Sequence, residues 1–135
     1  MSAPQPRWIK IEPKAEPQAE NLFDFAAIEY EKTETAEERF WKFHEANPWV
    51  YRELVRLARE LTAAQRRRCR TPKIGIRLLV ERLRWDWEIN TTSFDGFKIN
   101  DHVCPYYARL IMASEPDLAN VFETRRTVEE GRRHV

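Results

Sequence analysis

The stretch NPWVYRELVRLAREL at residues 47–61, followed by the basic run RRRCRTPK at residues 66–73, decides how this chain is read. Asn47-Pro48 stops a preceding helix, because the residue before a proline is pushed out of the helical region. The same pair starts a new one, with Asn47 as cap and Pro48 at the first position. Val50, Leu54, Leu57, Ala58 and Leu61 then fall on one stripe at helical spacing, with Arg52, Arg56, Arg59 and Glu60 on the opposite side. An amphipathic helix that ends in a cluster of arginines sets both the fold class and the first functional question.

Working outward, Thr35 with Glu38 three residues on forms a capping box, so a helix carrying Phe40, Trp41 and Phe43 precedes the break. On the other side Arg66-Arg67-Arg68-Cys69-Arg70 reads as a loop. Thr71-Pro72 repeats the cap-plus-proline signal and predicts a helix with Ile76, Leu79, Val80, Leu83 and Trp87 inward. Beyond it, Ile89, Thr91, Phe97 and Ile99 alternate around Asp95-Gly96, which predicts a short β-hairpin. Asp101 is expected to cap a helix with Val103, Tyr107, Leu110 and Ile111 inward. A last helix is expected to hold Leu118, Val121 and Phe122. The expected fold is mainly α with one hairpin, a small helical domain of the winged helix-turn-helix kind.

Three divisions follow from composition. Residues 1–34 are rich in Pro, Glu and Ala and read as a flexible acidic arm whose removal the fold survives. Its apolar patch at residues 22–28 has two readings, docking on the chain's own core or serving as a linear motif for a partner groove. Residues 35–124 form a single globular domain, and residues 125–135 a charged tail. The absence of an apolar export segment and of a run of about 18–20 apolar residues predicts a cytoplasmic protein without a membrane partner.

Charge is the strongest functional signal. Eight cations (Arg66, Arg67, Arg68, Arg70, Lys73, Arg77, Arg82 and Arg84) share residues 66–84 with one acid, Glu81, although the whole chain is only +1. The rest of the chain is therefore net negative. Such a concentrated face usually meets a polyanion. Arginine rather than lysine predominates, which favours bidentate contact with phosphate or guanine. The competing reading is a solvated face neutralised by the acids of the N-terminal arm. Trp85, beside Arg84 and off the apolar stripe, is a candidate to stack on a base. Asn100 and Arg109 flank a second polar-aromatic stretch and match the groups that read base edges.

Enzyme chemistry finds no support. The chain has three glycines, no Gly-rich nucleotide loop, no Walker signature and no CxxC. His102 and Cys104 lack the paired spacing of a structural zinc site, and neither cysteine sits in a recognisable nucleophile–base arrangement. No cofactor and no small-molecule substrate are expected.

The sequence carries W-x-F-x-x-x-N-P-x-V at residues 41–50, L-R-W at 83–85, F-K-I-N-D at 97–101, Y-Y-A-R-L-I at 106–111 and P-x-L-x-x-V-F-E-x-R at 116–125. Over about residues 37–126 it resembles short uncharacterised proteins of bacteriophages and prophages. That resemblance implies a phage or prophage setting, hence the cytoplasm of a bacterial host, and no particular activity. The expected function is non-catalytic binding of nucleic acid, double-stranded DNA above all. The alternative is an inhibitor or adaptor of a host protein, acting through the acidic arm or the patch at residues 22–28.

Overall fold

The computed structural model describes residues 25–123. Among the described residues four helices carry the fold: α1 (Ala36–Ala46), α2 (Pro48–Arg66), α3 (Ile76–Asn90) and α4 (Cys104–Ser114), with 3₁₀ turns at Asp101–Val103 and Pro116–Leu118. No helix among the described residues is long and apolar enough to cross a membrane.

The capping box at the start of α1 forms in both directions. Thr35 Oγ1 accepts the Glu38 N–H at 3.1 Å and Glu38 Oε1 accepts the Thr35 N–H at 2.8 Å. The chain then breaks at Asn47-Pro48. The side chain of Asn47 does not cap α2, contrary to the sequence expectation. It is buried, and Oδ1 accepts the Ala26 N–H at 2.7 Å while Nδ2 donates to the Phe43 carbonyl at 3.1 Å. The residue that breaks the helix thereby ties down the segment that precedes α1.

That segment, residues 25–34, runs along the core. Phe25 lies 5.9 Å from Phe43, 5.1 Å from Trp49, 6.0 Å from Trp87 and 5.4 Å from Phe97, ring centre to ring centre. Ile28 packs beside it. Lys42 Nζ donates to the Glu29 carbonyl at 3.2 Å, and Arg39 donates to the Glu31 carbonyl at 2.7 Å. So the described part of the expected arm is a strap on the fold. Residues 1–24 of that arm, with Leu22 and Phe23, lie outside the described residues, as does the charged tail from residue 124.

The core gathers Phe40 and Phe43 of α1, Val50, Leu54, Leu57 and Ala58 of α2, Leu79, Val80, Leu83 and Trp87 of α3, and Tyr107 and Ile111 of α4. Leu118, Val121 and Phe122 close it. Apolar burial of this kind is the main favourable term in folding.

Two sequence expectations on element type need correcting. Residues 91–100 form no hairpin. The α3 helix runs on through Asn90 and absorbs Ile89, and the loop after it is held by short side-chain bonds: Thr91 Oγ1 accepts the Ser93 N–H and Ser93 Oγ accepts the Asp95 N–H, both at 3.0 Å. Phe97 packs against the core and Ile99 is buried, so their alternation reflects packing without a strand ladder. Likewise the expected last helix is a 3₁₀ turn at Pro116–Leu118, followed by a turn and the bridged residue Phe122. Ile74 and Phe122 form an isolated parallel bridge, with Ile74 N–H to Val121 O at 2.7 Å and Glu123 N–H to Ile74 O at 3.3 Å.

Candidate nucleic-acid interface

The bridge at Ile74 determines how the basic segment is displayed. Because Ile74 is drawn into a bridge with Phe122, α3 starts at Ile76 with Gly75 as its cap, four residues later than Thr71-Pro72 predicts. Arg67, Arg68, Cys69, Arg70, Thr71 and Lys73 therefore lie in an open turn between α2 and α3, all exposed.

The partners of these cations separate them from the rest of the molecule. Arg66 reaches the Asp117 carbonyl at 3.5 Å and Lys73 donates to the Asn120 carbonyl at 2.7 Å. Both hydrogen bonds are to neutral carbonyl oxygens, and Arg66 also feels the Asp117 carboxylate, whose pKa it helps to lower. Arg67, Arg68 and Arg70 have no hydrogen-bond or ion-pair partner among the described residues. Several cations elsewhere meet carboxylates, although Arg39, Arg52, Lys98 and Arg109 form no ion pair among the described residues. Arg59 binds Glu115 at 2.6 Å and Asp117 at 2.9 Å, and Arg56 binds Glu53 at 2.9 Å. Lys42 binds Glu34 at 2.6 Å, Arg82 binds Asp86 at 3.3 Å and Arg84 binds Glu81 at 3.3 Å. The hydrogen bond from Arg59 holds the Asp117 carboxyl below its ordinary range. It also fixes residues 115–117 along α2, which places Asp117 O for Arg66.

Arg77, the second residue of α3, pairs with Asp101 at 3.1 Å, both side chains largely exposed. It continues the basic end of the molecule but with an acid beside it.

The remaining expected contacts are placed differently. Asn100 Oδ1 accepts the His102 N–H at 2.9 Å, so Asn100 rather than Asp101 caps the turn that leads into α4. Asn100 also lines a surface cleft with Arg39, Lys98 and His102, between the strap and the loop before α4. Arg109 lies over the Tyr106 ring, 6.0 Å from its centre, and Tyr106 in turn stacks on Phe40 of α1. Acids Glu115 and Asp117, candidate partners for Arg109, are held by Arg59 instead. Trp85 is exposed at 64%, while Trp87 is buried at 3%. The neighbours of Trp85 along the same face of α3 are Leu78, Arg82 and Ile89, with Arg77, Glu81, Arg84 and Glu88 alternating in sign beside them.

That apolar face of α3 escaped the sequence reading. Its signal was available: Leu78, Trp85 and Ile89 stand at i, i+7 and i+11, roughly opposite the core stripe.

Of the thiols and imidazoles among the described residues, Cys69 and His102 are exposed, while Cys104 and His44 are buried. Cys104 is buried and its thiol is pushed up to about 11 by burial. His44 is buried among Phe40, Trp41, Tyr51 and Tyr107. Among the described residues no group of three His, Cys, Asp or Glu side chains could hold a metal ion.

Comparison of the chain with protein-family models, with curated proteins and with solved structures finds no match.

Proposed function

We propose that this chain is a non-catalytic nucleic-acid-binding protein whose α2–α3 turn holds the phosphates of duplex DNA, in the phage or prophage setting that the sequence resemblance implies. One observation carries the reading. Arg66, Arg67, Arg68, Arg70 and Lys73 bring five positive charges into eight residues, and none of them forms an ion pair among the described residues. In a chain of net charge +1, that turn is where a polyanion gains most.

The contact is one of charge and backbone more than of base reading. An α-helix that enters the major groove presents polar side chains to base edges. The exposed face of α3 instead presents Leu78, Trp85 and Ile89 in a row with Arg82, and Arg77, Glu81, Arg84 and Glu88 alternate in sign alongside. Residues 91–100 supply no wing. Phosphate contacts position a protein on DNA without specifying sequence, so weak discrimination between sequences is expected. The adaptor alternative loses part of its contact, because Phe25 and Ile28 of the apolar patch pack on the core.

The test is fluorescence anisotropy of a labelled random-sequence duplex titrated with the full chain at low salt. Binding that is lost in the Arg67→Glu, Arg68→Glu, Arg70→Glu triple variant supports the proposal. A full chain that does not bind the duplex overturns it.

A further inference from the structure

Leu78, Trp85 and Ile89 are exposed at 57%, 64% and 64%, on the side of α3 away from Leu79, Leu83 and Trp87. Together with Arg82 they form one row at i, i+4, i+7 and i+11. Three large apolar side chains in line on one helix are more than the scattered exposed residues that need no explanation.

From this row we infer that α3 is a self-association surface, on which a second copy of the chain docks with its own α3 antiparallel. The argument rests on symmetry within the sequence of the helix. Leu78 and Ile89 lie equally far from the midpoint between Leu83 and Arg84, and so do Arg82 and Trp85. An antiparallel copy turned about that midpoint sets Leu78 level with the second copy's Ile89. It sets Arg82 level with the second copy's Trp85, where a guanidinium can lie on the indole face.

The charges beside the row obey the same symmetry. Arg77, Glu81, Arg84 and Glu88 form the adjacent row, again at i, i+4, i+7 and i+11, and alternate in sign. Reversed, the row reads Glu, Arg, Glu, Arg. In an antiparallel pair equivalent flanks meet, so Arg77 comes within two residues, about 3 Å along the axis, of Glu88 of the second copy. Glu81 stands in the same relation to Arg84 of that copy. Glu88 has no ion-pair partner among the described residues, and Arg77 has the exposed Asp101. A parallel copy would instead set Arg82 level with Arg82, which opposes that orientation. The row is shorter than a standard interface of about 800 Å² per partner, so the association is weak and concentration-dependent.

Sedimentation equilibrium of the full chain, without nucleic acid, tests this independently of the basic turn. Dimer mass is expected as the protein approaches about 0.2 mM, in the range of micromolar to millimolar association. Leu78→Glu should raise the dissociation constant at least about tenfold while far-UV circular dichroism stays unchanged. Arg77→Glu and Glu88→Arg should each weaken the dimer, and the double variant should restore it, an exchange that only the antiparallel register predicts. A monomer at every concentration overturns the inference, whether residues 1–24 or a different protein covers the row. Dimerisation that survives Leu78→Glu, or a double variant that fails to recover, overturns it as well.

Discussion

Asn47 Oδ1 accepts the Ala26 N–H at 2.7 Å, across 21 residues of chain. The bond joins the helix break at Asn47-Pro48 to the strap in front of α1, and the strap in turn covers Phe43, Trp49, Trp87 and Phe97 with Phe25. Asn47→Ala leaves both the Ala26 N–H and the space of a buried amide without a partner, and should cost about 1–3 kcal/mol. For a domain of this size each kcal/mol is worth roughly 4–8 °C in Tm. Thermal melts of the variant and of a chain starting at Thr33 should both fall well below the full chain. Unchanged melting of both would show that residues 25–34 add nothing to the fold.

The two tryptophans near the end of α3 should behave oppositely. Trp87 is buried against Phe25 and Phe97, so Trp87→Ala should cost about 3–5 kcal/mol in chemical denaturation. Trp85 is rotated about 200° from it on a helix of 3.6 residues per turn, and Trp85→Ala should cost less than about 0.5 kcal/mol. Equal losses would mean that Trp85 is packed in solution.

His44 links stability to acid. Burial pushes its imidazole down to about 4, from an ordinary value of 6.5. The unfolded chain therefore binds a proton more readily than the folded one. The stabilisation is fully present above pH 6.5 and is lost as pH falls from there towards 4. Between pH 7 and pH 5 the loss should be about 2 kcal/mol. Urea melts at the two pH values check this, and in His44→Phe the difference should shrink.

The sequence was informative where local chemistry decides structure. Thr35 and Glu38 announce the start of α1, Asn47-Pro48 announces its end, and the stripe from Val50 to Leu61 belongs to α2 as read. Partners distant in sequence account for the rest. The first residue of α3 moves from Pro72 to Ile76 because Ile74 pairs with Phe122, a contact no local signal contains. Alternation at Phe97 and Ile99 has the period of a strand, yet it records the packing of Phe97 on Trp87 and the burial of Ile99. Phe25 and Ile28 sit in a composition that reads as an arm, and only the aromatic pocket they enter makes them part of the fold. For the candidate interface, the basic run was plain in the sequence. Which of its members are neutralised was not, since Asp101, the partner of Arg77, comes from a loop far along the chain.

The salt dependence of duplex binding tests the central claim most directly. Neutralising Arg66, Arg67, Arg68 and Arg70 to alanine removes up to about four phosphate contacts, each worth roughly 0.9 in the slope of log affinity against log salt. Anisotropy titrations across a salt series should show a clearly flatter slope for the quadruple variant than for the full chain. Equal slopes would place the contact elsewhere on the molecule and contradict the assignment of the α2–α3 turn.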